Sequence, residues 1–214
     1  EISACLVGSE MCIRDSSKKT YRDIITDSNL NHSSKTNKDT QWDILNFMID
    51  ELQKTAKGDK VIFDRCPLDN LVYSIWANEK RNSNITEKFI KKCIPLVRES
   101  LRFIDIIFFT PITKVAPIAI EEDNLRDSDP EFIEEVDHLF KAINRDHQTN
   151  SKSSFFVNDD KPAMIEVFGN RRERIELIKL YLDSDGEFIK SSNILDEETL
   201  KDMEKMKKAF NVKD

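Results

Sequence analysis

The stretch VIFDRCPLDNLVYSIW, from Val61 to Trp76, runs from a short apolar segment through an acid–base pair into a helix. Val61-Ile62-Phe63 has the β-branched and aromatic composition of a short buried strand, and it ends at Asp64 and Arg65. A helix is predicted to follow from Asp69. Ligands of open parallel sheets bind at the carboxyl ends of the strands. Asp64 and Arg65 are therefore the first candidates for ligand-binding or catalytic residues.

Two further strands are predicted downstream. Residues 104–109 form the apolar run IDIIFF, which Pro111 stops, and residues 163–168 form another that Gly169 turns into a helix from about Arg171 to Leu182. Strands that alternate with helices imply an α/β fold, with a parallel sheet between helices on both faces, in three layers. The other predicted helices are one opened by Asp39-Thr40 and closed by Gly58, one from Thr86 through Leu101, one opened by Asp129-Pro130-Glu131, and one near Glu197 to Ala209.

The composition excludes several classes of protein. With 214 residues, 39% hydrophobic and 34% charged, the chain suits one helix-rich globular domain, alone or with a small appendage. The longest apolar run is too short to span a bilayer. A net charge of −7 gives no electrostatic case for binding nucleic acid or an acidic membrane. Four cysteines without paired spacing favour a reducing, cytoplasmic compartment.

The first sixteen residues, EISACLVGSEMCIRDS, do not fit the rest of the chain. One interpretation is a short strand and turn over residues 4–9. The other is that residues 6–16, LVGSEMCIRDS, resemble the translation of a transposon-end sequencing adapter. Segments of this kind are kept out of fold reasoning. We therefore expect residues 1–16 to be non-native.

Asp64 and Arg65 are the first candidate site residues. A carboxylate that follows an apolar strand is placed as nucleotide sites place the acid near a magnesium ion bridging phosphates. The planar guanidinium of Arg65 could hold a phosphate oxygen in a bidentate clamp. The alternative is an ordinary ion pair at the end of a strand.

Two other segments carry weaker candidates. Arg126 lies in the acidic stretch 121–127, where a mobile arginine could neutralise charge during phosphate transfer. The carboxylates around it are better interpreted as part of a solvated loop. The turn Gly169-Asn170-Arg171 could bring backbone close to a base or phosphate, or the glycine could simply permit the turn.

These pieces together resemble a known family. DRCPLDNLVY, FFTPI, DNLRDSDPEFIEEVDHLF and MIEVFGNRRERIELI occur in this order, after a helix opened by Thr40-Gln41. From Ser17 to Phe188 the chain resembles the P-loop ATPase domain of the NadR and TRPL-translocation-defect type. That AAA-type domain is related to nucleoside and thymidylate kinases.

The resemblance implies roles for individual residues, with ATP and Mg²⁺ as cofactors. Asp64 would match the carboxylate associated with magnesium and Arg65 the phosphate-contacting arginine, while Arg126 would match the arginine of the lid. Asp69 would be placed to touch the substrate. The turn at 169–171 (Gly169, Asn170 and Arg171) would lie against the adenine.

The sequence departs from the family at the phosphate-binding loop. A Walker loop requires G-x-x-x-x-G-K-[ST], because its backbone amides cradle the phosphates and its lysine reaches the β and γ oxygens. Gly8 is the one glycine in the N-terminal region, and Lys18-Lys19-Thr20 has no glycine before it. We expect the first strand and the P-loop to be missing. The expected organisation is an artefact at 1–16, a truncated nucleotide-binding domain at 17–188 and a helical tail at 189–214.

Three functional hypotheses follow. In the first, the intact parent transfers the γ-phosphoryl group of ATP to a small molecule of the nucleoside type, and the chain as written is inactive. In the second, the domain is a non-catalytic, nucleotide-gated regulatory module. In the third, the chain is an assembly fragment without activity. An acidic residue within reach of a substrate hydroxyl would favour the kinase. The substrate and the oligomeric state stay open.

Overall fold

A computed structural model describes residues 14–15, 35–55, 60–80, 83–113, 129–157, 160–183 and 186–189. Its strands are β1 (Arg14–Asp15), β2 (Val61–Ile62), β3 (Ile106–Phe109) and β4 (Ala163–Glu166). Its helices are α1 (Lys38–Lys54), α2 (Pro67–Lys80), α3 (Glu87–Ser100), α4 (Pro130–Thr149) and α5 (Arg171–Ile178), with a 3₁₀ turn at Leu101–Phe103. The predicted alternation of strands and helices is confirmed over these residues.

The strands pair in parallel, as predicted. β1 pairs with β2, so that Arg14 faces Val61, and β3 pairs with β4, so that Phe109 faces Glu166. Among the described residues the two pairs are separate two-stranded sheets. β1 lies inside residues 1–16, the segment interpreted as non-native. Both that interpretation and a single continuous three-layer sheet stay predictions.

The helix starts follow from their capping residues. Asp129 caps α4, with Pro130 in its first turn, as predicted. Thr86 caps α3, so that this helix begins at Glu87, one residue after the predicted start. For α1 the prediction was wrong by two residues, because the side chain of Asn37, rather than Asp39, accepts from the backbone N–H groups of Asp39 and Thr40. Asparagine and aspartate are equally good caps, so the pattern alone does not choose between them.

The helix ends are less well predicted. The expected stop at Gly58 lies outside the described residues, and α1 already ends at Lys54. α2 begins at Pro67, two residues before the predicted start at Asp69, because proline is preorganised for the first helical position. α5 ends at Ile178 rather than at Leu182, which instead forms an antiparallel bridge with Phe188.

α2 is the central helix of the core. It packs against α1, α3 and α4, and its residues Leu68, Leu71 and Val72 are at most 1% exposed. Each fully buried side chain of this size stabilises the fold by about 1.5–3 kcal/mol. Trp76 is buried in the same cluster, and the partly buried Trp42 packs against it.

Helical segments cover both faces of the β3–β4 pair. On one face, the ring of Phe109 stacks on Phe140 of α4, with centroids 5.9 Å apart. On the other, Phe108 and Ile165 pack against a smaller cluster that includes Ile178 of α5. In the part of the chain that the structure describes, none of the helices has the length and apolar character needed to cross a membrane.

Candidate functional site

Asp64 and Arg65 follow Phe63 at the carboxyl end of β2, and both are half-buried. Arg65 has φ +76°, the one positive φ of a described residue other than glycine. An L-residue in this region costs roughly 1–2 kcal/mol relative to an ordinary conformation. The guanidinium lies over the ring of Tyr73, 5.3 Å from its centroid. The turn therefore holds Arg65 in a strained backbone conformation and against an aromatic face.

Asp69 lies at the third position of α2 and is 4% exposed. Its Oδ2 accepts a hydrogen bond from the backbone N–H of Cys66 at 3.0 Å, and its own N–H donates to the Cys66 carbonyl at 3.0 Å. Burial raises the pKa of the Asp69 carboxyl, and the positive charge of Arg65 opposes that rise. The structure thus brings Asp64, Arg65 and Asp69 into one electrostatic group, while Asp69 also serves to start α2.

Cys66, between these residues, is a free buried thiol. Burial raises its pKa well above the ordinary value, and the neighbouring Asp69 carboxylate acts in the same direction. A thiol of this kind stays protonated at neutral pH and is a poor nucleophile. Cys93 is also buried, and burial raises its pKa to about 11. Both cysteines are therefore buried, protonated thiols.

An aromatic row connects Arg65 to the first turns of α4. Tyr73 stacks on Phe132, with ring centroids 6.2 Å apart, and Phe132 meets the edge of Trp76 at 4.7 Å. The indole N–H of Trp76 donates to Glu135 at 2.9 Å. α4 follows residues 114–128 in the chain, and Arg126 lies there, outside the described residues.

The chain after β3 is fixed to α4. The backbone N–H of Ile112 donates to Asp137 Oδ1 at 2.9 Å, and Lys141 Nζ donates to the Ile112 carbonyl at 2.8 Å. Asp137 is 2% exposed and pairs with Lys141 at 2.5 Å. This ion pair was not predicted from the sequence. The signal that indicates it is the i,i+4 spacing of Asp137 and Lys141 on the predicted helix.

The turn at residues 169–171 has a defined structural purpose. Gly169 has φ +93°, and a Cβ atom there would lie 2.9 Å from the Cβ of Glu173, so that glycine is required. The Asn170 side chain caps α5, and the Glu173 side chain in turn accepts from the Asn170 N–H at 2.7 Å. Arg171 is exposed at the start of α5. This turn follows β4, which is not paired with β2 in the described residues, and its predicted adenine contact stays a prediction.

A buried hydrogen-bonded cluster lies just beyond Asp69 and was also missed. The Asn70 amide donates to both the backbone carbonyl and Oε1 of Gln41, at 2.7 and 2.6 Å, and Gln41 donates to Thr36 Oγ1 at 2.7 Å. Gln41 and Asn70 are 29 positions apart. No local periodicity indicates a contact of that range.

Metal binding would rest on few ligands. Among the described residues, no three His, Cys, Asp or Glu side chains gather as a closed metal site requires. Magnesium needs less, because it keeps several waters and is commonly held by one or two carboxylates together with substrate phosphates. A single carboxylate is enough for that limited role, and the magnesium contact of Asp64 stays a prediction.

The comparisons with known proteins identify the family. A family model described as AAA domain matches residues 17–151, which include Asp64, Arg65, Asp69 and Arg126. Residues 169–171 lie beyond the match. Neither curated proteins nor solved structures gave a match. Because the matched segment covers more than half of the chain, this protein belongs to the AAA domain family, which indicates nucleotide binding.

Proposed function

We propose that this protein is an ATP-binding domain of the P-loop type whose catalytic form transfers the γ-phosphoryl group of ATP to a small molecule, such as a nucleoside. The family match supports nucleotide binding. The observation that carries the site is the positive φ of Arg65, immediately after Asp64 at the carboxyl end of β2.

The conformation of Arg65 supports a functional site over an ordinary ion pair at the end of a strand. A pair at the end of a strand forms without positive φ, and glycine at this position would remove the cost of about 1–2 kcal/mol. Strain of this kind persists where the surroundings impose it and is concentrated at functional sites. The presence of arginine rather than glycine at this position is explained if the side chain, which contacts the ring of Tyr73, is needed to bind phosphate.

In the proposed mechanism, Asp64 would help hold a magnesium ion, which would supply positive charge beside the phosphates of ATP. Arg65 binds a phosphate oxygen, and Arg126 stabilises the charge that develops during transfer. Asp69 contacts the substrate, and Gly169-Asn170-Arg171 lie against the adenine. Catalysis of this type is mainly positioning and electrostatic stabilisation.

The proposal assigns catalysis to a form of the protein that carries a phosphate-binding loop. The 214 residues contain no G-x-x-x-x-G-K-[ST] segment, so these residues alone should bind ATP poorly and transfer no phosphate. Saturable binding of ATP at micromolar concentration by the 214-residue chain would contradict this statement.

The decisive test is to read the coding sequence upstream of Ser17 from intact source DNA. A strand followed by a Walker loop would support the proposal, and the resulting protein should then transfer phosphate in a screen of nucleosides. Arg65→Ala should reduce that activity by at least tenfold. Arg145→Ala, at an exposed arginine of α4, is the charge-matched control and should leave it unchanged. Binding of ATP without turnover would instead favour the nucleotide-gated module.

A further inference from the structure

The smaller hydrophobic cluster lies on the face of the β3–β4 pair that carries Phe108, and this face is thinly covered. The buried members of the cluster are Val167, Ile178 and Leu182. Two strand residues, Phe108 and Ile165, pack against them but stay partly exposed. Among the described residues the helix on this face is α5, which has eight residues and buries one of them, Ile178. The opposite face is covered by the 20 residues of α4.

Three large apolar side chains around this cluster are exposed. They are Phe168 (52% exposed), Leu180 (57%) and Phe188 (47%), and we refer to them as the apolar patch. Phe168 and Leu180 each lie within two residues of a buried member of the cluster, and Phe188 pairs with Leu182 in the antiparallel bridge. Single exposed apolar residues are ordinary, whereas several gathered around one cluster mark an interaction surface.

The last described residues of the chain lie beside the apolar patch. The backbone N–H of Ile189 donates to the Tyr181 carbonyl at 2.9 Å, next to the bridge between Leu182 and Phe188. Residues 190–214 continue from this point. An extended linker over residues 190–196 can span up to roughly 24 Å, and a helix over residues 197–209 is about 20 Å long. The C-terminal segment therefore starts at the patch and is long enough to lie across it.

The sequence of this segment has an apolar stripe. The predicted helix from Glu197 to Ala209 lies outside the described residues. Leu200, Met203, Met206 and Phe210 recur at spacings of three and four residues, which places them on one side of a helix. A single helix of this length is marginally stable in water unless its apolar side packs against another surface. The segment thus needs an apolar surface, and one lies where it begins.

We propose that residues 197–210 form a helix whose apolar stripe packs on the apolar patch, beside α5 and over the Phe108 face of the β3–β4 pair. Methionine suits such a contact, because its flexible side chain adapts to an irregular surface. The proposal does not rest on the proposed function, since neither the patch nor the segment contains a proposed site residue.

Hydrogen–deuterium exchange of the 214-residue chain, read by mass spectrometry, tests the proposal. Amides of residues 197–210 should exchange at least tenfold more slowly than in an unstructured peptide of the same sequence. Leu180→Ser should remove most of that protection, because it places a polar side chain in the patch. Leu96→Ser is the matched control, since Leu96 is an exposed leucine (37%) on α3, and it should leave the protection unchanged.

A reciprocal pair of variants tests the segment itself. Met203→Ser should remove the protection of residues 197–210, whereas Lys205→Ser, on the polar side of the predicted helix, should keep most of it. Both changes have a similar effect on helix propensity, so a difference between them reports on packing. Amides of α2 should stay protected in all four variants, which shows that each chain is folded.

Three results would overturn the proposal. The first is exchange of residues 197–210 at the rate of an unstructured peptide. The second is protection that both Leu180→Ser and a further patch variant, Phe168→Ser, leave unchanged. The third is protection that disappears when the protein is diluted, because the segment would then pack on a second copy of the chain.

Discussion

The guanidinium of Arg65 and the ring of Tyr73 form a cation–π contact, with 5.3 Å between the guanidinium carbon and the ring centroid. Tyr73 in turn stacks on Phe132, in the first turn of α4. The two contacts connect the end of β2 to α4. The orientation of Arg65 therefore depends on the packing of α2 against α4.

The first prediction concerns Tyr73 itself. Tyr73→Leu removes both ring contacts and should reduce the free energy of unfolding by about 1–2 kcal/mol, since cation–π and aromatic pairs contribute about 0.5–1.5 kcal/mol each. Tyr73→Phe keeps both rings in contact and should cost clearly less. Urea unfolding of the three proteins measures the difference. Equal losses for Leu and Phe would show that the hydroxyl, and not the ring, is the stabilising group.

The second prediction uses the positive φ of Arg65. At this position glycine should be better than alanine, so Arg65→Gly should be more stable than Arg65→Ala by about 1 kcal/mol. Arg145, in the interior of α4, is the control, and there the order should reverse by a similar amount because glycine weakens helices. Chemical denaturation of the four variants gives both differences. The same order at both positions would contradict the strained conformation of Arg65.

Much of the fold was predictable because its signals are local. The β-branched run before Asp64, the Asp129-Pro130 start of α4 and the glycine at 169 each act within a few residues, and each was placed correctly. The candidate site was only partly predictable. Asp64 and Arg65 could be predicted as site residues from their place at the end of a strand. The positive φ of Arg65 could not, because arginine in a sequence gives no indication of its backbone conformation. The contact between Gln41 and Asn70 depends on how α1 packs against α2, and no spacing in the sequence indicates it.

The third prediction concerns pH and His147, at the end of α4. Its Nε2 lies 2.8 Å from the Pro162 carbonyl, its Nδ1 is without a hydrogen-bond partner among the described residues, and its ring meets Phe156 edge-on at 4.8 Å. Burial lowers the pKa of His147 and Lys161 acts in the same direction, while the hydrogen bond to the Pro162 carbonyl and the charge of Asp146 oppose the shift. The folded state therefore favours the neutral ring.

The sign of the effect follows from that shift. Above the unfolded pKa of about 6.5, His147 is neutral in both states and its contribution to stability is complete. Below about 6.5 the unfolded chain binds a proton more readily than the folded one, so stability should fall until the folded pKa is reached. Thermal unfolding between pH 7.5 and 5 should show this fall, and His147→Gln should reduce it. An identical pH dependence in the variant would remove His147 as the cause.

The last prediction distinguishes a structural role of Asp69, at the start of α2, from the proposed contact with substrate. Asp69→Asn keeps an oxygen that can accept from the Cys66 N–H but removes the charge, whereas Asp69→Ala removes the acceptor as well. Because burial raises the pKa of Asp69, its ionised form destabilises the folded state, and this effect grows as pH rises above the unfolded value. Asp69→Asn should therefore stabilise the chain at pH 7 and have little effect at pH 3. Asp69→Ala should lose about 0.5–1.5 kcal/mol, because the N–H of Cys66 loses its acceptor.

The functional role of Asp69 is tested by phosphate transfer. A stable Asp69→Asn variant that has lost phosphate transfer, in the protein with its upstream sequence, would identify a carboxylate kept for substrate at a cost in stability. Unchanged transfer would leave Asp69 as the residue that starts α2, and the proposed substrate contact would be wrong.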